Sequence, residues 1–268
     1  MRKTLIATAV AGAFTLPLSA QADTPAAEAS AHTFTANIGL YSDYRFRGIT
    51  QTFKKPAIQG GFDYSHASGF YLGNWNSNIS ETAGFPEGNL EMDFYGGFKK
   101  SWGDFGLDVG AIYYYYPGTE SGTSFYSPAN ARTGQVYSGK VDNKEIYIGG
   151  SWKFLSLKYY HSVDDYFSVP GTEGTSYVDL SASYDLGSGW GINGHTGHLN
   201  VDGFSDASYT DWKVGVTKDL GGWVLGAAYI DTNAKGNFGE FYRFTKTSSG
   251  KTTDGGSGTL VVSISRTF

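Results

Sequence analysis

The sequence predicts an all-β chain that forms a transmembrane, antiparallel, up-and-down β-barrel of about twelve strands. From residue 33 onward, apolar and polar residues alternate with the period of two that is typical of strands. The connections alternate between short turns and long loops, as in outer-membrane barrels, which have short periplasmic turns and long extracellular loops. The tryptophans at the short turns, Trp102, Trp152, Trp190 and Trp223, fit an interfacial aromatic girdle.

The beginning of the chain has the pattern of an export signal. Two basic residues precede a short apolar stretch, and Ala20, Gln21 and Ala22 form a small-x-small cleavage site. We therefore predict a signal peptide over residues 1–22. The next segment, residues 23–32, is small and polar, which predicts a flexible periplasmic leader. The barrel is predicted to occupy residues 33–268.

Composition narrows the classes of function. Aromatic residues make up 16% of the chain, and there are 38 glycines, a mixture that favours β-structure. The chain has no cysteine, which excludes a disulfide scaffold, a thiol nucleophile and cysteine-based metal sites. A net charge of -5 argues against a nucleic-acid partner. No motif indicates a cofactor.

The individual strands follow from the alternation. In "LEMDFYGGF", Leu90, Met92 and Phe94 share one face, and the acidic side chains share the other. Glycine pairs within the strands would permit strong coiling of the sheet. The predicted strands are residues 33–46, 55–65, 69–80, 89–101, 104–116, 143–153, 154–164, 175–186, 190–199, 208–219, 222–232 and 258–268.

The last predicted strand, "GTLVVSISRTF", must pair with the first so that no sheet edge lies in lipid. Its final aromatic, Phe268, is typical of the signal by which outer-membrane proteins are recognised for insertion, so we expect the barrel-assembly machinery as a partner. The bacterial outer membrane, with its lipid and lipopolysaccharide, is the expected location. Arg266 interrupts the apolar face, and we expect its side chain to extend to the headgroups.

Several stretches taken in order resemble one family. They are "SDYRFRGITQT", "PAIQGGFDYSHASGFYLGNW", "LEMDFYGG", "YYYYPG", "YTDWKVGVTKDL" and "AYIDTN". Together they run from residue 42 to the C-terminal region, and the chain resembles the TorF family of bacterial outer-membrane porins. The resemblance implies a porin in the outer membrane. It implies no catalytic residues.

Along each strand, alternate residues fall into two sets, which we call parities, one mostly apolar and one mostly polar. The polar parity predicts which side chains line the lumen. If the apolar parity faces lipid, acidic groups outnumber basic groups inside, which favours cations. We therefore expect passive diffusion of small hydrophilic solutes with a mild preference for cations. The candidate pore-lining residues are Asp43, Arg45, Arg47, Asp63, Asn74, Asn76, Glu91, Asp93, Asp108, Tyr114, Glu145, Lys158, Asp179, Asp211 and Lys213.

Two alternatives remain open at this stage. The inward charges could pair across a narrow lumen and plug it, which would leave a structural or adhesive barrel. Some outer-membrane barrels are hydrolases, but here His161 and Ser162 are adjacent on one strand and must face opposite sides.

Arg45 and Arg47 could bind an anionic solute, or could pair with Glu91 or Asp93. The long loop at 117–142 could fold inward, with Arg132 or Lys140 near the pore, or could remain outside.

Overall fold

The computed structural model describes residues 30–119, 124–125, 137–138, 140–236, 241–246 and 249–268. The predicted signal peptide, residues 1–22, and the leader as far as residue 29 lie outside the described residues. No helix among the described residues has the length and hydropathy that a membrane-spanning helix needs. The helical segments that the structure describes are single 3-10 turns at Glu81–Ala83, Tyr166–Ser168 and Ser205–Ala207.

The chain forms one closed, antiparallel barrel of twelve strands, which confirms the predicted fold class. Each strand pairs with the next, and β12 pairs with β1 to complete the closure. Three short two-stranded ribbons lie in the long loops. The barrel strands are β1 (His32–Tyr41), β2 (Ala57–His66), β3 (Phe70–Asn78), β4 (Leu90–Trp102), β5 (Phe105–Tyr115), β6 (Asp142–Trp152), β7 (Leu155–Ser162), β8 (Ser176–Gly187), β9 (Trp190–Asn200), β10 (Tyr209–Asp219), β11 (Trp223–Thr232) and β12 (Thr259–Thr267).

The outer wall is an apolar belt. Large apolar side chains on alternate positions stay exposed, among them Phe34, Phe62 and Val214. Residues directly opposite each other on neighbouring strands share a face, so this parity continues around the barrel. A soluble protein would not expose so much apolar surface, whereas an outer-membrane barrel carries such a band in contact with lipid.

The short turns all lie at one end of the barrel, and the long loops lie at the other. The four girdle tryptophans are exposed beside the short turns, where an aromatic girdle is expected. At the turn between β6 and β7, Lys153 has a positive φ of 55°, and glycines adopt this geometry at other short turns. In barrels of this class the short turns are periplasmic and the long loops extracellular.

The first strand is shorter than predicted. It ends at Tyr41, not at residue 46; residues 42–53 fold into the barrel, and residues 54–56 are exposed. The predicted strand 33–46 was therefore too long, and Tyr44 and Phe46 do not lie on its lipid-facing side. Tyr44 is only 3% exposed and contacts Trp75 edge-on, and Phe46 contacts Tyr114. The alternation of the sequence continues past Tyr41 because this inward segment also places its side chains on alternate sides.

The face assignment of β3 was also wrong. Asn74 and Asn76 were predicted to point inward, but they stand opposite Phe62 and Gly60 and share the outward face with Leu72. Their amides are satisfied on the outside: Asn74 donates to the main-chain carbonyl of Asp93 at 3.0 Å. Asn76 donates to Asn74 Oδ1 at 2.6 Å. Tyr71, Trp75 and Ser77 lie on the inward parity of β3 instead. The contact of Trp75 with Tyr44 inside the barrel shows this orientation.

Candidate functional site

The lumen near the long-loop end is closed by the connection between β1 and β2. We call this connection, residues 42–56, the plug. Within it, Arg45–Phe46 and Ile49–Thr50 pair as a short antiparallel ribbon. The plug reaches the wall on several sides, as its contacts with β3, β4, β6 and β10 show. Its seat consists of buried side chains from those strands and of residues from other long loops, such as Phe167, which contacts Phe46, and Gly255, whose carbonyl accepts from Arg45.

Arg45 fastens the plug to the last long loop and to itself. Its guanidinium lies 2.6 Å from Asp43 and is only 2% exposed. It also donates to the carbonyls of Gly48, Gly255 and Ser257 at 2.9 to 3.2 Å. Asp43 in turn accepts hydrogen bonds from the hydroxyls of two plug threonines. Arg45 therefore satisfies buried carbonyls of the plug and of the last long loop, and its Nη2 donates to Thr259 Oγ1 at 2.7 Å.

Arg47 fastens the plug to the wall. Its guanidinium makes a two-pronged pair with Glu145 on β6, at 3.0 and 2.7 Å. It lies over the ring of Tyr177 at 4.3 Å and close to Tyr160 and Tyr166, so the charge sits in an aromatic cage. Burial alone would lower the pKa of Arg47, but the negative charge of Glu145 and the neighbouring tyrosines raise it well above its ordinary value. Of the two alternatives for these arginines, pairing with Glu91 or Asp93 was wrong, since Arg45 pairs with Asp43 and Arg47 pairs with Glu145.

Gly48 lets the plug approach the opposite wall. Its φ is +80°, and a Cβ added there would lie 2.3 Å from Thr232 Cγ2 and 2.8 Å from Asp211 Cβ. Only glycine avoids both the left-handed strain and this clash.

We therefore expect Gly48→Ala to weaken the seating of the plug by more than the roughly 1–2 kcal/mol of left-handed strain alone. Gly84→Ala is the matched control, because Gly84 has a φ of +103° and no atom within 4 Å of the added Cβ. The frequency of channel opening in a planar bilayer measures the difference. Equal behaviour of the two variants would contradict the close approach.

Two buried carboxylates lie beneath the plug, and no cation among the described residues pairs with either of them. Glu91 is 0% exposed and accepts hydrogen bonds from Tyr44 of the plug and from Tyr116. Asp93, two residues further on the same inward face, is 2% exposed. One oxygen of each carboxylate has no hydrogen-bond partner among the described residues. Unpaired buried carboxylates are costly, so this part of the seat favours hydration or a cation once the plug moves.

The middle of the wall carries a cluster of opposite charges and tyrosines. Lys158 lies 2.7 Å from Asp108, and Lys99 lies 3.8 Å from the same carboxylate. Tyr71 donates to Asp108 at 2.6 Å, and the two lysines lie over tyrosine rings. These groups come from β3 to β7 and point inward, as predicted for Asp108 and Lys158.

A second cluster lies across β8, β9 and β10. His195 Nδ1 is 2.8 Å from Asp179, and its Nε2 is 3.2 Å from Asp211. Ser181 also bonds to Asp179, and Tyr177 donates to Asp211 at 2.9 Å. Both ring nitrogens of His195 face carboxylates, so this histidine has no nitrogen left to activate a serine as a hydrolase would require. His161 lies on the outward parity of β7, and Ser162 is buried inside, bonded to Asn143.

Exposure divides the lumen into two compartments. Polar side chains of the inward parity near the long loops are buried, as Ser77 and Ser162 illustrate at 1% and 0% exposure. Near the short turns the inward residues are small, and solvent reaches them. We call this half of the lumen the vestibule; its wall includes Thr35, Ser65, Ser101, Ser151, Ser156 and Ser183.

Most of the candidate pore-lining residues do point into the barrel. Glu91, Asp93, Tyr114, Glu145, Asp211 and the plug residues lie in the closed compartment. Asp63, Asp108, Lys158, Asp179 and Lys213 lie around its lower border, whereas Asn74 and Asn76 face outward. Lys99, Tyr71 and Tyr177 were not among the candidates. The alternation in "LEMDFYGGFKK" could have found Lys99, since it shares the parity of Glu91 and Asp93.

The long loop at 117–142 is described only in part. Arg132 lies outside the described residues. Lys140 is exposed and pairs with Asp142 at 2.8 Å at the upper end of β6, away from the lumen. Among the described residues no group of histidine, aspartate and glutamate side chains could hold a metal ion.

A family model for bacterial proteins of unknown function, Gcw_chp, matches residues 25–268. The chain belongs to the Gcw_chp family. A search of curated proteins found no match. The KdgM porin, solved in complex with disordered oligogalacturonate, is similar in fold, with a TM-score of 0.50 and 7% identity over 88% of this chain and 99% of that chain.

Two further solved structures are more distant from this Gcw_chp protein. An outer-membrane channel from Pseudomonas putida F1 has a TM-score of 0.42 and 14% identity, over 92% of this chain and 100% of that one. OccAB1 from Acinetobacter baumannii has a TM-score of 0.45 and 10% identity, over 91% and 66%. The closed barrel and its apolar belt place the protein in the bacterial outer membrane.

Proposed function

We propose that this Gcw_chp protein is a porin-like channel for passive diffusion of small hydrophilic solutes, and that the plug closes its extracellular mouth at rest. One observation carries the proposal: a polar, solvent-accessible vestibule leads from the short-turn end to a seat of buried charges that a loop, residues 42–56, occupies. Within the part of the chain that the structure describes, Glu91 and Asp93 are buried without counter-charges, and a wall built only for stability would have no reason to bury them so, since such groups oppose folding.

The resemblance of the sequence to the TorF porins supports the same proposal. We infer that residues 1–22 are a signal peptide and that the strand ending at Phe268 is read by the barrel-assembly machinery. Lipopolysaccharide is the proposed neighbour of the long-loop end. No catalytic role is proposed.

The acidic groups of the lumen favour a mild preference for cations. Glu91, Asp93 and Asp211 line the seat of the plug, and Asp63, Asp108 and Asp179 line the wall below it. When the plug moves, an ion that enters through the seat meets the carboxylates of the seat first. Rings of such carboxylates select cations in other channels.

We expect Glu91→Gln combined with Asp93→Asn to reduce the preference for cations, because both substitutions remove charge from the narrowest part of the lumen and preserve its shape. The reversal potential in a salt gradient measures the preference. Glu173→Gln with Asp202→Asn is the control: these side chains are equally charged but exposed on the outer loops. If the substitutions at Glu91 and Asp93 left the reversal potential unchanged, these two residues would not contribute to the preference for cations.

Single-channel recording of the refolded mature protein in a planar bilayer tests the proposal as a whole. The expected record has long closed periods interrupted by discrete openings. A correctly folded barrel that never conducts, with or without its plug, would contradict it.

The plug itself favours a second candidate, a closed barrel with a structural or adhesive role in the outer membrane. In that case the contacts of Arg45 and Arg47 would be permanent. Removing the plug distinguishes the candidates, since a structural barrel would lose stability and gain no selective conductance.

A further inference from the structure

On the described strands, the outward-facing charges near the short turns are all basic. Among the described strand residues on the outward parity, those at this end are Lys100, Lys218 and Arg266, and the exposed turn residue Lys153 joins them. At the long-loop end the outward charges are mixed, with Asp142, Lys144 and Asp231. We call the first group the basic rim: Lys100, Lys153, Lys218 and Arg266.

Each member of the basic rim lies over a girdle tryptophan. The distances from the charged centre to the ring centroid are 5.8 Å for Lys100 on Trp102, 4.9 Å for Lys153 on Trp152, 5.0 Å for Lys218 on Trp190 and 5.5 Å for Arg266 on Trp223. The pairs recur at four separate short turns. Such pairs hold the cation at the depth of the indole ring, at the border between hydrocarbon and headgroups.

The acidic residues of the same end do not neutralise the outer wall. Asp185 and Asp219 lie on the inward parity, and each accepts a hydrogen bond from a turn N–H, of Gly187 and Gly222 respectively. Of the four rim residues, only Lys153 has a salt-bridge partner among the described residues, Asp104 at 3.9 Å, with both side chains more than half exposed. An exposed pair at that distance contributes little. The belt therefore presents positive charge to lipid at this end.

We propose that the basic rim binds the phosphates of anionic phospholipids in the periplasmic leaflet of the outer membrane. A phosphate ester at headgroup depth matches a cation held over an indole ring, with the acyl chains against apolar neighbours such as Phe105 and Leu157. Lipopolysaccharide belongs to the opposite leaflet, next to the long loops. The proposal concerns the outer wall and does not depend on whether the lumen conducts.

Native mass spectrometry of barrels extracted from phosphatidylcholine vesicles that contain phosphatidylglycerol tests this. We expect the wild-type barrel to retain phosphatidylglycerol. The variant Lys100→Gln, Lys153→Gln, Lys218→Gln, Arg266→Gln should lose it, by about fivefold for each cation removed. The control changes charge equally at the other end: Lys55→Gln, Lys140→Gln, Lys144→Gln, Lys235→Gln.

Retention that is equal in the wild type and the rim variant would overturn the proposal, as would equal loss in the rim variant and the control. Retention of added lipopolysaccharide in place of phosphatidylglycerol would also overturn it. Should the rim variant not fold, the wild-type barrel still gives an answer. Salt screens exposed charges, so raising salt should release phosphatidylglycerol, and salt-independent retention would contradict a phosphate contact.

Discussion

Replacing the plug with a tight turn is expected to raise the time-averaged conductance by about a hundredfold or more, because it removes together all the buried contacts that hold the plug in its seat, among them the pair of Arg47 with Glu145. The replacement is geometrically simple. Tyr41 and Ala57, which flank the plug, already stand opposite each other in the β1–β2 ladder. A two-residue Asn–Gly turn can join paired strands. The barrel wall therefore keeps its register while the mouth opens.

A matched replacement at another long loop controls for general loosening. Residues 201–208 join β9 to β10, and exchanging them for a short turn leaves the plug in place. We expect this variant to conduct like the wild type. A plug-replaced barrel that folds, shown by unchanged gel mobility without heating, and yet remains silent would contradict a lumen closed by the plug.

Arg47→Met is expected to open the channel for a much larger fraction of the time. The substitution leaves Glu145 buried without its cation, and breaking a buried pair in this way costs about 3–5 kcal/mol. The plug can relieve that cost by leaving its seat, so the loss should appear as channel opening and not as unfolding of the barrel. Open probability and thermal unfolding, measured on the same preparation, separate the two effects.

The pair of Arg47 and Glu145 also provides an internal check. Adding Glu145→Gln to Arg47→Met removes the stranded charge, and we expect closure to be partly restored. Lys55→Met is the control, because Lys55 is an exposed cation of the same plug. If Arg47→Met and Lys55→Met behaved alike, the aromatic cage and the pair with Glu145 would not hold the plug closed.

The number of strands and their order could be predicted from the sequence because lipid imposes one rule on every strand. Each second residue must be apolar, and a chain that obeys this rule over strands of similar length leaves little choice of fold. The alternation of long loops with short turns and the positions of the four tryptophans agreed with a barrel fold. On β10, for example, Trp212 and Val214 face outward, and Asp211 and Lys213 face inward, as the alternation predicted.

The plug could not be predicted by that rule. Residues 42–46 continue the alternation of β1, yet nothing local distinguishes a side chain that meets lipid from one that meets the opposite wall. The destination of Tyr44 depends on Glu91 and Trp75, which are distant in sequence and become neighbours only after closure. Asn74 and Asn76 were misplaced for a related reason: their amides bond to each other and to main-chain carbonyls, so polarity did not indicate the lumen.

The pairing of the inward charges could not be predicted from the sequence either. Arg47 pairs with Glu145, and His195 bridges two aspartates, across strands whose stagger is set by barrel closure. The sequence predicted which charged residues lie on the inward parity of the strands. The three-dimensional arrangement decided which of them hold the plug and which line the vestibule.

Cysteine accessibility tests the division of the lumen most directly, because the chain has no cysteine of its own. Ser183→Cys reports on the vestibule, and Ser77→Cys reports on the compartment beside the plug. A charged, water-soluble thiol reagent should modify Cys at 183 rapidly and Cys at 77 slowly in the folded barrel, and replacing the plug should make both rapid. Rapid modification at 77 with the plug in place, or slow modification at 77 without it, would contradict a lumen that the plug alone closes.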